Sequence, residues 1–414
     1  MRHQLVFLLC PVLCFFACGD PVVEEKTVEK ADAIDQFAGF WLGQCIANWT
    51  GLITEMDKIG AVGEIQTGAF YTRENWGGSD QPNIWSGDTI SKISPVINFV
   101  LVPQDSVWGA DDDTDIEYIY QELLLRHDTA LLSAEQIREG WLRHIRLEEE
   151  NYLWVSNERA LHLMAEGVVP PATSDSVRNE HYAMIDAQLT TEIFGLYAPG
   201  APKVAMELAE LPIRVAANYE AAEIARFYVV MYSLAAALPK GDLAGPQVLS
   251  MAEEAKKVFT GGYPAAMYDF VLSRYEAGIP WEQCRDEVYR RYQVEQADGY
   301  DITRQNLYCN GCFAAGINFA ASLISLFYGE GNFRETVKIG TLCGWDSDNP
   351  TATWGGLIGY VNGRKALRQT FGDNLSDRFW IHRTRQGFAN EGFDDFTAMA
   401  EKGVAVRELV RRME

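Results

Sequence analysis

Basic residues are scarce in this chain: 35 lysines and arginines stand against 58 aspartates and glutamates, a formal net charge of -23 over 414 residues. That balance repels phosphate backbones and anionic membrane surfaces, which argues against nucleic acid as a partner. Histidine is scarcer still, six in all and none paired at metal-ligand spacing. Neither Ser-His-Asp nor Cys-His catalysis finds distinctive support, and no glycine-rich phosphate loop is present. Strand-like alternation is scarce, and 96–102, VINFVLV, is its best and nearly lone candidate. Internal repeats and low-complexity tracts are missing.

Cysteine offers no framework either. Eight are present, and Cys10 and Cys14 fall in a first segment, MRHQLVFLLCPVLCFFAC, with a basic start at Arg2 and an apolar run from Leu5 to Ala17. This reads as an export signal over 1–17 that is too short to span a bilayer. Phe-Phe-Ala-Cys looks like a bacterial lipoprotein cleavage box, with Cys18 as the lipidated residue. Residues 18–33 then form a polar tether. The expectation is a lipid-anchored, extracytoplasmic protein on a bacterial membrane, in the periplasm or at the cell surface, whose sole membrane contact is the N-terminal lipid. The five remaining cysteines, Cys45, Cys284, Cys309, Cys312 and Cys343, are odd in number and thinly spread, so no disulfide set is implied. Cys309 and Cys312 form a C-x-x-C, the pattern of a redox pair or half a zinc site. No second pair accompanies it, and its flank, NLYCNGCFAAGINFAASLISLF, reads as a buried helix, so plain packing is expected.

What the sequence does hold is apolar bulk, 48% of residues with 12% aromatic, enough to fill a large core. From residue 116 the apolar positions recur at helical spacing: Ile116, Ile119, Tyr120, Leu123 and Leu124 share a face, and similar stripes run through 135–146, 176–194, 203–238, 264–276 and 305–328. Ser133 followed by Gln136 is a capping box at one such start. Breaks fall at Pro170-Pro171, 199–202, 240–245 and 261–264. These patterns predict one mostly helical domain over 34–414 with an irregular Gly- and Trp-rich stretch from 60 to 110.

Two acidic clusters interrupt the pattern. In 107–120, VWGADDDTDIEYIY, Asp111, Asp112, Asp113 and Asp115 crowd together just before a helical stripe; in 340–360, GTLCGWDSDNPTATWGGLIGY, Asp346, Asp348 and Asn349 follow a Gly-Trp turn. A helix start tolerates acid, at about 0.3–1 kcal/mol each. Four together repel unless cations offset them or water surrounds them. An EF-hand fails, because Ile116 stands where the loop needs glycine; around Asp346, Pro350 and Thr351 break the same pattern.

The clusters together resemble the ADP-ribosylglycohydrolase family, in which a Thr-Asp-Asp-Thr element opens a helix and a later Gly-x-Asp-x-Asp-Thr element precedes a helix of small residues. Here they look like Asp111-Asp112-Asp113-Thr114 and Gly344-Trp345-Asp346-Ser347-Asp348-Asn349. The small-residue helix ending in a glutamate looks like GFWLGQCIANWTGLITE, with Glu55 last, and IDAQLTTEIFGLYAPG (185–200) is similar to the family's middle. The resemblance covers roughly 34–365. It implies an all-α fold, a compact orthogonal helical domain, with a binuclear Mg²⁺ centre (Mn²⁺ being possible), held by Asp112, Asp113, Asp346 and Asp348 with Glu55, Asp111 and Asn349. Hard cations want oxygen ligands, which suits the set. Asp111 and Asn349 both stand where the family has threonine, which leaves substrate preference open.

The implied activity is hydrolysis of an N- or O-glycosidic bond between a ribose and a modified side chain or small molecule, with two cations fixing the ribose and activating water and Glu55 or Asp113 as general base. Trp345, with Trp76, Trp85 and Trp108, is a candidate to stack on adenine or simply to pack; Asn218, in RVAANYEAAE, is a candidate to reach the cleft. Three readings follow: an exported ADP-ribosyl hydrolase, a hydrolase of another ribosyl or glycosyl compound, or a metal-binding protein without catalysis.

Overall fold

The computed structural model describes residues 30–413 except 64, 148–149 and 302–307; Cys18 and the expected signal lie outside the described residues. The first helix starts at Lys30, four residues before the expected domain boundary, and runs to Gly51.

At the centre, glycines decide the geometry. The helix Lys30–Gly51 lies against Asp348–Asn362, and both are almost wholly buried. A Cβ on Gly43 would sit 2.4 Å from the Gly355 carbonyl oxygen, and one on Gly359 would sit 2.3 Å from that of Gly39. Only residues without side chains allow backbones this close. Around the pair stand Asp112–Arg126, Tyr219–Ala236, Ala315–Gly329, Phe333–Cys343 and Phe396–Arg411, each presenting an apolar face to one continuous core. Among the described residues the sheet is a single antiparallel pair, Arg378–Trp380 with Phe393–Asp395. The all-α expectation holds, and no described helix is long and apolar enough to cross a membrane.

The stripes at 135–146 and 264–276 become Ala134–His144 and Gly262–Glu276, and Ser133 and Gln136 form the expected capping box. Elsewhere the expected boundaries shift. The 203–238 stripe splits into Pro202–Ala216 and Tyr219–Ala236. The 176–194 stripe is no single helix but turns followed by Ile185–Ala187, Gln188–Thr191 and Ile193–Tyr197. There the Thr190 and Thr191 hydroxyls donate to the carbonyls of Asp186 and Ala187, the back-bonding that bends helices. Of the 305–328 stripe, 305–307 lie outside the described residues, and among the rest the α-helix begins at Ala315. Ahead of it Cys309, at φ 49°, sits in a turn closed by a Cys309–Cys312 disulfide that sequence reasoning did not expect. Segment 96–102 is not a strand; Val96 forms a lone bridge to Ser79, and Ile97 exchanges backbone hydrogen bonds with Gly77 and Gly78. The 60–110 stretch is irregular, as expected.

Candidate metal centre

The first acidic cluster is a helix cap. Asp111 is the N-cap of Asp112–Arg126, extended at φ -126°, and its Oδ1 accepts the Asp113 amide at 3.2 Å. Asp112 and Asp113 follow in the first turn, where the helix dipole favours negative charge. One oxygen from each of Asp111, Asp112 and Asp113 lies within 4.8 Å of the others.

The second cluster is built by a strained turn between Phe333–Cys343 and Asp348–Asn362. Gly344 (φ 102°) and Trp345 (φ 58°) are both left-handed. That conformation is costly for tryptophan. It is held by the Trp345 amide donating to the Lys58 carbonyl at 2.7 Å, by the Met56 amide donating to the Trp345 carbonyl at 2.9 Å, and by the indole donating to Gln293 Oε1 at 2.7 Å. The same clamp carries the turn that presents Glu55, and Ser347 Oγ donates to the Gly51 carbonyl at 2.9 Å. Asn318 Oδ1 accepts the Asp346 amide at 3.2 Å. Glu55, Asp346 and Asp348 thereby bring one oxygen each within 4.8 Å of one another.

A short chain of amides ties the two triads together. Gln188 Nε2 donates to Asn349 Oδ1 at 2.8 Å, and Asn349 Nδ2 donates to Asp113 Oδ1 at 3.0 Å. Asn349 thus stands at the centre, but its amide oxygen already accepts from Gln188, so in this arrangement it braces Asp113 rather than offering a ligand.

The electrostatics of the six carboxyl groups are unbalanced. Burial, then the repulsion of Asp348, raises Asp111 to about 8. Glu55, Asp112, Asp113 and Asp346 are pushed well above the carboxylate range by burial first and by neighbouring carboxyls second, and burial raises Asp348. For all of these but Asp348, the charged neighbours acting most strongly are other carboxyls. Asp348 Oδ1 is buried with no hydrogen-bond partner. An oxygen-only donor set with excess negative charge and an orphaned carboxylate oxygen fits hard divalent cations.

The structure therefore brings together Glu55, Asp111, Asp112, Asp113, Asp346, Asp348 and Asn349. Two substrate-contact expectations are corrected. Trp345 is 0% exposed, packed 4.9 Å from Phe70, and so is a core residue that shapes the turn. Asn218 caps Tyr219–Ala236 and donates to the Ser174 carbonyl, so its side chain is used locally. Trp108 is likewise buried; Trp85, 47% exposed and stacked on Phe313, keeps an open face. Sequence reasoning missed Gln188 and Asn318 as braces, and Asp186, whose carboxyl acts on Asp112. Gln188 and Asp186 lie in the 185–200 stretch, but nothing local sets them apart from a polar face.

Fold and site together define an all-helical protein with a buried, carboxylate-lined centre suited to metal. Residues 29–404 match the family model of ADP-ribosylglycohydrolase, and the chain belongs to that family. Membership makes it a hydrolase of glycosyl bonds of the ADP-ribosyl type, in a family that is typically metal-dependent and acts on ADP-ribosylated substrates. Among solved structures, one described as an ADP-ribosylglycohydrolase-related protein complex is similar at 17% identity and a TM-score of 0.45, over 92% of this chain and 99% of that one. No curated protein matches significantly.

Proposed function

We propose that this protein is a Mg²⁺-dependent hydrolase that uses two ions, with Mn²⁺ able to replace them, to cleave the N- or O-glycosidic bond of an ADP-ribosyl group. The observation that carries the reading is the pair of carboxylate triads bound together through Asn349 and Asp113. Asp111, Asp112 and Asp113 would hold one ion, and Asp346, Asp348 and Glu55 the other. Bound there, divalent cations supply a fix on the ribose hydroxyls and a more acidic water. Asp113 is buried, with Oδ1 engaged by Asn349. Glu55 is only half-buried and faces the same group of acids. In this reading Glu55 takes the general-base role beside its place at the second ion, and Asp113 is a ligand alone. The sequence of 1–33 supports export and attachment through Cys18, which would place the substrate outside the cytoplasm.

Calorimetric titration of the chelator-stripped protein with Mg²⁺, then with ADP-ribose, tests this. Two bound ions, and ADP-ribose affinity that needs them and is lost in Asp348→Ala, are expected. Metal binding without ADP-ribose binding would point to another glycosyl substrate. No metal binding would refute the reading.

A further inference from the structure

Two braces of the candidate metal centre start from one turn. Asn318, fully buried, accepts the Asp346 amide on Oδ1 at 3.2 Å, while its Nδ2 donates to the Cys312 carbonyl at 2.7 Å and to the Ala314 carbonyl at 3.1 Å. On the other side of the same turn the Phe313 carbonyl accepts the Ile185 amide at 3.0 Å, and the Ala315 amide donates to the Ala183 carbonyl at 3.0 Å. Ile185 opens the segment that leads to Gln188, the residue that holds Asn349. The turn is closed by the Cys309–Cys312 disulfide, a pair for which hydrolysis of a glycosyl bond has no use. Cys309 and Gly311 are left-handed within it, at φ 49° and 79°. That conformation is costly for a cysteine, so the covalent link holds a backbone that the chain by itself disfavours.

We propose that Asn318 is a positioning residue for Asp346 and that closure of the Cys309–Cys312 disulfide sets it, so that the metal centre reaches its full affinity only in the oxidised protein. The consequence for metal rests on the reading of Asp346 as a ligand. The Cys312 and Ala314 carbonyls fix which end of the Asn318 amide faces outward, and that end is the acceptor for the Asp346 amide. With the turn open, the Cys312 carbonyl loses its place and the Asp346 amide its acceptor. Closure removes two protons and two electrons from the two thiols. An oxidant of the disulfide class takes them up: one cysteine thiolate attacks the oxidant's disulfide, the second displaces the oxidant's sulfur from the mixed disulfide, and the oxidant leaves as two thiols. Both cysteines are buried in the folded protein, which shields the bond once it has formed. The step is therefore one of maturation in an oxidising compartment. The remaining described cysteines, Cys45, Cys284 and Cys343, are free and buried, so the pair is the only one that reduction would open among the described residues.

The test compares three forms of the full chain: oxidised, refolded in dithiothreitol, and the Cys309→Ser/Cys312→Ser variant. Calorimetric titration should find Mg²⁺ bound about 10–100-fold more weakly by the reduced form and by the variant, the range for loss of an outer brace. Oxidised glutathione should restore the reduced form and leave the variant as it was. Asn318→Ala should lose a similar factor while oxidised, and reduction should then weaken it no further, because the same brace is already gone. In metal-free protein the Asp346 amide should exchange its hydrogen faster in each weakened form. Equal Mg²⁺ affinity in the oxidised and reduced forms overturns the proposal, as does a loss on reduction that adds in full to that of Asn318→Ala. If the oxidised protein binds no Mg²⁺, the metal reading fails and hydrogen exchange decides the rest: faster exchange at Asp346 on reduction upholds the link from disulfide to Asp346, and unchanged exchange overturns it. Reduced and serine forms that do not fold overturn it too, since the disulfide then serves the whole fold and not the site.

Discussion

Asp348 is the residue on which both triads converge, since its charge acts on Glu55, Asp111, Asp113 and Asp346. Replacing it by asparagine keeps its shape and removes one of several crowded charges. The metal-free Asp348→Asn protein should melt above the metal-free parent, while Mg²⁺ should no longer stabilise it. At 100 times its dissociation constant the ion would contribute about 2.7 kcal/mol to the parent, so thermal melts with and without Mg²⁺ read both effects. Gln188 acts one bond further out. Gln188→Ala frees the Asn349 amide to turn and leaves Asp113 unbraced. Loss of such an outer brace costs about 10–100-fold in metal affinity, and titration calorimetry should find that with the fold unchanged.

At the scale of the element, the contact between Lys30–Gly51 and Asp348–Asn362 sets the site's depth. The second of these helices begins with Asp348 and Asn349, and the turn after the first presents Glu55, so a shift of one helix against the other moves two corners of the centre. Gly359→Ala places a methyl 2.3 Å from the Gly39 carbonyl oxygen, a backbone atom that cannot rotate away. Overpacking of this kind costs about 1–3 kcal/mol. Chemical denaturation should show that loss, and metal affinity should fall with it although no ligand has been touched.

The whole molecule holds its acids in balance with remote partners. Asp115, two residues beyond Asp113, pairs with Arg385 at 2.8 Å, both side chains at 0% exposure. Burial outweighs the arginine and leaves Asp115 raised to about 6. Truncation to Arg385→Met strands a buried carboxylate and should cost about 3–5 kcal/mol, measured by denaturant unfolding near neutral pH. The pH dependence of the metal-free protein follows from the raised groups. Asp111 sits at about 8, and Asp115 and Asp186 at about 6. In the unfolded chain such acids lose their protons near 4. Between these limits the native state holds more protons than the unfolded one, so stability falls as pH rises from about 4 to about 8. Melts in chelator across that range should decline, and Mg²⁺ should flatten the decline.

The helical class and the acids of the site were legible because both are local properties. An apolar stripe at period 3.6 commits its own residues to a helix whatever they meet, and Asp111-Asp112-Asp113 is crowded by covalent bonding before any folding occurs. The reach from Asp113 to Asn349, 236 residues apart, is of another kind. It depends on two helices packing through Gly43, Gly355 and Gly359, and nothing around a glycine announces its partner. The same holds for Gln188, a polar position in a mixed stretch that becomes a brace only when packing brings it to Asn349. Trp345 shows the limit most plainly: beside an aspartate it suits a stacking platform, yet a left-handed turn clamped by Lys58, Met56 and Gln293 drives its ring into the core. Local composition thus determined which residues carry charge and which segments coil. Packing alone decided which of them face each other, because burial and long-range hydrogen bonds exist only once the chain has closed on itself.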